Sequence, residues 1–357
     1  MCPTSVFISR FRRAIKPFIL KLFSMRRRFD FKKIKRIGWI PSGLYGDMAQ
    51  MSMIPRELKK IYPRASIVLF TDKGKSDIFA LNPYIDKIMS LPAGVGYTLS
   101  KRSFTGFIRL YRLVKGCDMI IDIPDGLPWF ALILYRLSGV KHVFQNDSAR
   151  ASNNFVTFIE TDFSVPRQKL FRDLLVAAGD KVPDMTGELY VDAASEKYIE
   201  DFLRKNKING RILLFNPESS TETKTLSFEN THLVVQKLLK LAPDFKIILI
   251  NYKLEYNIKN CYTLKVSRIS QTVSAVMRAD YVLSVDTSSV HFADVFRKPM
   301  TELYSKWYSY GHTSVPYVHG GSWQTQTDIL CGETVNDIDT DEIVGSVLKG
   351  IRRTERV

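Results

Sequence analysis

The sequence lacks several patterns that would assign a protein to a common class. Its 357 residues include only four cysteines, which lie far apart and form no CxxC pair. This spacing excludes a zinc site or a disulfide framework, and it favours a reducing compartment. No run of 18 uncharged apolar residues occurs, so we expect no transmembrane helix. Lys16 and Lys21 interrupt the apolar stretch that a signal peptide would need, and we find no internal repeat or low-complexity segment.

The composition is otherwise that of a globular protein, with 45% hydrophobic and 25% charged residues. At about 150 residues per domain, this length predicts two domains. The formal net charge of +16 is unevenly distributed, because residues 1–36 contain twelve Lys or Arg and a single acid, Asp30. This segment carries +11 of the total, and the remaining 321 residues are nearly balanced.

The first 32 residues are predicted to form a basic amphipathic arm. An apolar stripe forms on a helical wheel, and Pro17 either kinks the helix or begins a second one. We favour an arm that lies on an anionic membrane surface. A helix packed on the protein's own core and a nucleic-acid-binding arm are the alternatives, and we predict no nucleic-acid partner. The stripe consists of Phe7, Ile8, Phe11, Ile15, Phe18, Ile19 and Leu22.

Beyond the arm, short apolar runs alternate with segments of helical periodicity, which is typical of parallel sheets with crossover helices. We predict one series from residue 34 and a second from Arg211, joined by a charged helical connector over 193–209 and closed by a helix over 341–352. The predicted strands are Ile34–Ile40, Ser66–Phe70, Met119–Ile123, Ile212–Phe215, Lys246–Ile250, Tyr281–Val285 and Thr301–Tyr304. The predicted helices run from the first loop to Ile61, with Pro55 as a kink, from a Ser227 cap to Leu241, and from Ser270 to Arg278.

The first of three candidate loops follows the first predicted strand and reads Pro-Ser-Gly-Leu-Tyr-Gly-Asp over residues 41–47. Active sites of open parallel sheets lie at this edge, and Gly43 and Gly46 permit a sharp turn and close approach of a ligand. The glycine spacing is not that of a dinucleotide-binding loop or a P-loop. Asp47 fits a helix cap as well as a catalytic base.

The other two loops carry hydroxyls and charges. The second contains Ser219, Ser220 and Lys224, which suit a phosphate group, although a solvated Ser/Thr turn has the same composition. The third, Asp-Thr-Ser-Ser over 286–289, ends a buried strand and starts a helix with His291 in its first turns. The N-terminus of that helix favours an anion such as a diphosphate.

In this order, the loops resemble those of glycosyltransferase family 9, the ADP-heptose:lipopolysaccharide heptosyltransferases. Gly46-Asp47 matches the Gly-Asp of the first family motif, and Lys224 matches the lysine of the Ser/Thr-rich turn. The segment 286–293 resembles the family motif Asp-Thr-Gly-x-x-His-x-Ala. Further similar segments are Tyr62-Pro63-Arg64-Ala65 and Asn82-Pro83-Tyr84-Ile85-Asp86-Lys87.

The resemblance implies an α/β fold of the GT-B type, with two Rossmann-like domains that face a cleft. We place the acceptor-binding domain at 33–195, the donor-binding domain at 196–340, and a C-terminal helix at 341–357 that packs back on the first domain. The implied activity is inverting transfer of L-glycero-D-manno-heptose from ADP-heptose to a sugar of the lipopolysaccharide core, on the cytoplasmic face of the inner membrane. The implied metal-free site assigns Asp47 as the base, Ser42, Gly43 and Gly46 to the acceptor loop, and Ser219, Ser220, Lys224, Asp286, Thr287, Ser288 and His291 to the donor.

The chain departs from the family pattern at several positions. Ser288 replaces a glycine, Leu226 replaces a tryptophan, and Asn251-Tyr252-Lys253 replaces a Gly-Gly, so that Asn251 and Glu255 are alternatives for the nucleoside contact. A UDP-hexose or UDP-GlcNAc transferase and a non-catalytic membrane scaffold therefore remain alternatives. Asp337-Ile338-Asp339 matches the DxD pattern of metal-dependent transferases, but its setting indicates a helix cap.

Overall fold

The computed structural model describes residues 30–41, 43–91, 104–123, 130–146, 152–160, 166–306 and 327–355. The predicted arm therefore lies outside the described residues, apart from its last three positions. There, Asp30 caps the short 3-10 helix Phe31–Lys33. The ring of Phe31 packs edge-on against His142 at 5.0 Å, so the start of the described chain is held on the body. Among the described residues, no helix combines the length and apolar character required to cross a bilayer.

The first unit contains a six-stranded parallel sheet in the order β3-β2-β1-β4-β5-β6. The unit contains five described α-helices, which run between or after its strands. The strands are β1 (Arg36–Pro41), β2 (Ser66–Thr71), β3 (Lys87–Ser90), β4 (Met119–Ile123), β5 (His142–Asn146) and β6 (Val156–Ile159). The helices are α1 (Tyr45–Gln50), α2 (Ile54–Ile61), α3 (Phe104–Val114), α4 (Phe130–Leu137) and α5 (Gln168–Ala178).

The second unit repeats this arrangement, with the strand order β12-β11-β10-β7-β8-β9 and parallel pairing throughout. Helix α6 (Ala193–Lys205) leads into it from the first unit. The strands are β7 (Arg211–Asn216), β8 (Phe245–Asn251), β9 (Tyr262–Lys265), β10 (Tyr281–Val285), β11 (Met300–Ser305) and β12 (Thr327–Gly332). The helices are α7 (Phe228–Leu241), α8 (Ile269–Arg278), α9 (Ser288–Val295) and α10 (Thr340–Thr354).

The central strands are mostly apolar because helices cover both faces of each sheet, and the few polar residues within them, such as Asp122 in β4 and Ser284 in β10, are buried. In β1, Ile37 and Trp39 face a core that continues across both units, whereas Ile40 faces a separate core of the first unit. In β7, Leu214 faces the shared core and Phe215 faces a core of the second unit. The predicted α/β architecture of two units is therefore confirmed, and the two units share buried apolar contacts.

The segment after the first loop differs from the single kinked helix that we predicted. Helix α1 ends at Gln50, a turn covers residues 51–53, and α2 begins at Ile54 with Pro55 in its first turn. Proline is well suited to that position because the N–H groups of the first turn have no partner within the helix. Elsewhere, the Ser227 cap is confirmed: its side chain accepts a hydrogen bond from the backbone N–H of Asn230 at 3.1 Å.

The sequence analysis placed the last helix against the first domain, whereas its main contacts in the structure lie in the second unit. Helix α10 packs against α7, β11 and β12. Its buried residues Ile343, Val344 and Val347 belong to the core of the second sheet. The apolar face of α10 completes the cover of that sheet.

Candidate active site at the cleft between the two units

In each sheet the strands that follow the first one in sequence are added on one side of it, and the chain then crosses to the other side. In the first sheet this switch point lies between β1 and β4, and in the second it lies between β7 and β10. Ligands of doubly wound sheets bind outside the carboxyl ends of the strands at such points. The loops at 43–44, 217–225 and 286–287 follow β1, β7 and β10, and they meet at one cavity of about 450 Å³. Of the predicted site residues, Gly46, Asp47, Ser219, Ser220, Lys224, Asp286, Thr287, Ser288 and His291 line it.

Asp47 lies in the first turn of α1, on the first-unit side of the cavity. Its Oδ2 atom accepts a hydrogen bond from the backbone N–H of Leu44 at 2.7 Å, as a capping carboxylate does. Its Oδ1 atom forms an ion pair with the guanidinium of Arg167, and both side chains are about one-fifth to one-quarter exposed. Capping therefore uses Oδ2 of Asp47, and the oxygen that remains for a proton, Oδ1, is the one that Arg167 holds.

The loop that carries Asp47 is held by the segment that follows β2. The ammonium of Lys75 donates to the carbonyl of Gly43 at 2.6 Å, and the hydroxyl of Tyr45 donates to the carbonyl of Gly74. Gly43 itself has a φ of 103°, in the left-handed region that favours glycine. Ser42, which we assigned to the same loop, lies outside the described residues.

Helix α1 of the first unit packs directly on α9 of the second. The ring of His291 lies against Gly46, where a Cβ atom would overlap Cδ2 of the imidazole and lie 3.0 Å from Nε2. Nδ1 of His291 is 3.0 Å from the amide nitrogen of Gln50. Burial lowers the pKa of His291, and Arg167 acts in the same direction, against the opposing effects of Asp47 and Asp286. Burial thus favours the neutral form of the imidazole.

On the second-unit side, the ammonium of Lys224 lies 2.6 Å from Oδ2 of Asp286. Both side chains are largely buried, with 15% and 13% exposed. The hydroxyl of Ser219 donates to the backbone carbonyl of Asp286 at 3.3 Å, so the second loop is tied to the third. Ser220 is exposed at the cavity wall. The cation that we assigned to a diphosphate is thus paired with the neighbouring carboxylate.

The N-terminus of α9 opens onto the same cavity. Thr287 caps the helix by accepting from the N–H of Ser289 at 3.3 Å. The amide of Asn216 donates to the hydroxyls of Thr287 and Ser289, both at 2.9 Å. Ser288, the first residue of the helix, is partly exposed and lines the cavity. Hydroxyls, backbone N–H groups and the positive end of the helix dipole therefore converge at this point, as an anion requires.

Glu218 holds the segment that follows β8 in place at the cavity wall, and it was missed in the sequence analysis as a site residue. Its carboxylate is 3% exposed and accepts hydrogen bonds from three consecutive backbone N–H groups after β8. The donors are Tyr252 at 3.3 Å, Lys253 at 2.9 Å and Leu254 at 3.3 Å. This contact fixes the Asn-Tyr-Lys segment that replaces the family's Gly-Gly, and Tyr252 and Lys253 both line the cavity.

The DxD-like segment serves as two caps. Asp337 accepts from the N–H of Thr334 at 2.6 Å, and Asp339 caps α10 by accepting from the N–H of Asp341 at 2.7 Å. Neither residue is among those that line the cavity. Within the described parts of the chain, no group of three or more His, Cys, Asp or Glu side chains is arranged to hold a metal ion.

Sequence reasoning missed Gln50, Arg167 and Asn216, which contact predicted site residues, and Glu218, which holds the segment after β8. Asn216 and Glu218 carry a signal that could have revealed them, since they are polar and close a wholly apolar strand at the ligand-binding edge. Gln50 and Arg167 carry none. Gln50 lies 241 positions from its partner, and Arg167 lies 120 positions from its partner.

No protein-family model matches the chain. In sequence, the chain is 28% identical over 318 residues to the Escherichia coli K12 protein named "Putative lipopolysaccharide heptosyltransferase 4", with 85% of this chain and 83% of that protein covered. A glycosyl transferase family 9 structure from Veillonella parvula DSM 2008 superposes with a TM-score of 0.73 at 13% identity, and the match covers 93% of this chain and 99% of that one. The E. coli heptosyltransferase WaaC with ADP gives a TM-score of 0.65 at 13% identity, covering 90% of this chain and 100% of that one.

These likenesses confirm the resemblance to family 9 heptosyltransferases that the three loops indicate. Together with the two matching strand orders, they show that the chain has the GT-B fold.

Proposed function

We propose that the protein is a glycosyltransferase that moves L-glycero-D-manno-heptose from ADP-heptose to a sugar hydroxyl of the lipopolysaccharide core, with inversion at the anomeric carbon. The observation that carries the proposal is the pairing of two different loop types across one cavity. A carboxylate, Asp47, faces it from the first unit, and a cation with a helix N-terminus, Lys224 and α9, faces it from the second. The 28% identical E. coli relative supports heptose as the transferred sugar.

The reaction requires a base on one side of the sugar and neutralisation of charge on the other. Asp47 accepts the proton of the acceptor hydroxyl as the oxygen of that hydroxyl forms a bond with the anomeric carbon. The bond from this carbon to the diphosphate oxygen breaks on the opposite face, and ADP leaves with the electron pair. The charge that develops on ADP is stabilised by Lys224 and by the N–H groups at the start of α9.

The remaining site residues are assigned to the diphosphate, the heptose and the acceptor. Ser219, Ser220 and Thr287 supply hydroxyl hydrogen bonds to the diphosphate, and Ser288 lies where the diphosphate meets the helix. Asp286 accepts hydrogen bonds from heptose hydroxyls once Lys224 turns toward the phosphates. Gly43 and Gly46 belong to the loop assigned to the acceptor, together with Ser42, which is assigned on sequence alone; a side chain at Gly43 would meet Asp47, and one at Gly46 would meet His291.

The test of the base is the variant Asp47→Asn, assayed with ADP-heptose and a heptose-free core acceptor. We expect the rate at saturating acceptor to fall by about a hundred- to ten-thousand-fold, the usual contribution of a general base. Asp244→Asn, an exposed loop substitution of the same kind, is the matched control and should leave the rate unchanged. Near-normal turnover by Asp47→Asn would show that another group takes the proton.

The donor is tested by a panel of nucleotide sugars on the full-length protein. ADP-heptose should be transferred, and UDP-hexoses and UDP-GlcNAc should not.

Titration calorimetry with ADP separates an enzyme from a scaffold, since a scaffold with degenerate loops would show no binding at millimolar ADP. Mass spectrometry of lipopolysaccharide from a deletion strain should show the loss of one heptose; loss of a hexose would assign a different donor.

We further propose that the reaction requires no metal ion, because Lys224 and the N-terminus of α9 supply the positive charge that a metal would otherwise provide. Activity in excess EDTA should equal the untreated activity. A loss of activity that Mn²⁺ restores would overturn this part of the scheme.

The basic arm is proposed to hold the enzyme on the cytoplasmic face of the inner membrane, beside a phosphorylated, lipid-anchored acceptor. Its +11 charge and apolar stripe favour an anionic surface. Deleting residues 1–30 should release the protein from membranes and preserve transfer to a detergent-free oligosaccharide acceptor. A truncated protein that still sediments with membranes would show that the arm is not the anchor.

A further inference from the structure

The contact between Gln50 and His291 joins the two units at the cavity. Gln50 is the last residue of α1 and is 6% exposed, so its amide is withdrawn from bulk water. The amide nitrogen lies 3.0 Å from Nδ1 of His291, across an interface between two helices from different units. Because an amide NH₂ group can only donate, Nδ1 must accept this hydrogen bond.

The direction of this bond determines where the imidazole keeps its hydrogen. A neutral imidazole has one donor nitrogen and one acceptor nitrogen. If Nδ1 accepts, the hydrogen is on Nε2, on the ring edge that packs over Gly46. His291 also lines the cavity that contains the proposed donor site. The charged groups that face the ring are Asp47 and Arg167 from the first unit and Asp286 from the second. Burial, the largest effect, lowers the pKa of His291, whereas the two carboxylates raise it and Arg167 lowers it.

We propose that Gln50 is a positioning residue: its amide fixes His291 as the Nε2–H tautomer, so that the ring offers a hydrogen-bond donor to an oxygen of the bound sugar nucleotide. The identity of the ligand rests on the proposed transferase function. The tautomer does not, because it follows from the contact between Gln50 and His291. This contact also gives the first unit a direct influence on the donor site, because the residue that sets the tautomer lies on the same helix as Asp47.

The tautomer is measured directly in full-length protein labelled with ¹⁵N-histidine, by long-range ¹H–¹⁵N correlation. The sequence has five histidines, and the signals of His291 are assigned by their loss in His291→Asn. We expect a protonated Nε2 and an unprotonated Nδ1 at pH 7. In Gln50→Glu the carboxylate can only accept, so the ring should protonate at Nδ1. A wild-type Nδ1–H tautomer, or an unchanged tautomer in Gln50→Glu, would overturn the proposal.

The kinetic consequence is measured in two Gln50 variants. Gln50→Met keeps the size of the side chain and removes the donor, and we expect kcat to fall about tenfold with little change in the KM for the acceptor. In Gln50→Glu the neutral ring carries its hydrogen on Nδ1 and lacks the Nε2 donor, whereas the protonated ring has both. The new carboxylate also raises the pKa of His291, so kcat relative to the wild type should be reduced at neutral pH and should recover on acidification. Gln236→Glu, an exposed position on α7, is the control and should retain the wild-type pH profile.

The two measurements separate the possible failures. If the wild type transfers no sugar while the tautomer is as expected, the proposed function is wrong and the assignment to Gln50 stands. If the wild type is active but the pH profile of Gln50→Glu matches that of the wild type, Gln50 has only a structural role and the inference is wrong.

Discussion

Replacing Gly46 by alanine tests the contact between the two units at the cavity. The backbone conformation of Gly46 does not require glycine, since its φ lies outside the left-handed region. What excludes a larger residue is His291, because a methyl group at position 46 would overlap the imidazole. The methyl therefore forces α1 and α9 apart or moves the histidine ring away from Gln50.

Two opposing effects determine the size of the change. Alanine is favoured over glycine inside a helix by roughly 0.5–1 kcal/mol. Overpacking a well-filled interface costs about 1–3 kcal/mol. Because the position is at the start of a short helix, we expect the clash to dominate, with a net loss of about 1–2 kcal/mol in the free energy of unfolding. Activity should fall as well, since the methyl displaces both Asp47 and His291.

The clash is isolated by a double-mutant cycle with His291→Ala. In the wild-type protein Gly46→Ala should be destabilising. In His291→Ala, where the imidazole ring is absent, the added methyl has space and the same substitution should be neutral or stabilising. The expected coupling is about 1–3 kcal/mol, from urea unfolding with a common slope for all variants. Gly345→Ala is the matched control: this glycine is exposed in α10, a Cβ there meets nothing within 4 Å, and the change should stabilise the protein.

The reasoning is refuted if the coupling is below about 0.5 kcal/mol, the usual error of additivity. It is also refuted if Gly46→Ala is as stable as Gly345→Ala. Either result would mean that the two units do not hold His291 against Gly46 in solution.

Three further predictions concern individual side chains. Lys224→Met should lower kcat by about a hundred- to a thousand-fold in the transfer assay, because the leaving diphosphate loses its cation while Asp286 stays nearby; activity within tenfold of wild type would contradict this. Arg167→Gln should lower kcat roughly tenfold, because Asp47 loses the partner that holds its carboxylate, with an unchanged affinity for ADP by calorimetry. Burial lowers the pKa of His142 from its ordinary 6.5 to about 4, so the charged form is disfavoured only in the folded state. Above about pH 6.5 the group has little effect on the free energy of unfolding, which should fall by about 3 kcal/mol as the pH drops to about 4, because only the unfolded state takes up the proton. Urea unfolding of His142→Asn should show a correspondingly weaker pH dependence.

Local pattern was sufficient for the central strands and for the loops that follow them. Met119–Ile123 and Tyr281–Val285 have the same bounds in prediction and structure, because a strand that is covered on both faces is mostly apolar. Five strands were not predicted, namely β3, β5, β6, β9 and β12, and all of them are edge strands except β5, which lies between β4 and β6. Strand β3 is short and partly exposed, as is β9, and such strands carry neither a continuous run nor a regular alternation.

The sequence by itself therefore determined the two α/β units, the three loops at the carboxyl ends of their strands, and the identity of Asp47, Lys224 and Asp286 as candidate site residues. These properties depend on periodicity and on residue chemistry within a few positions. Only the tertiary structure decided which loops face one another across the cavity and which partners they acquire. The pairs Asp47–Arg167 and Gln50–His291 are separated by 120 and 241 positions. Their formation depends on how the units pack through α1 and α9, which no local pattern records.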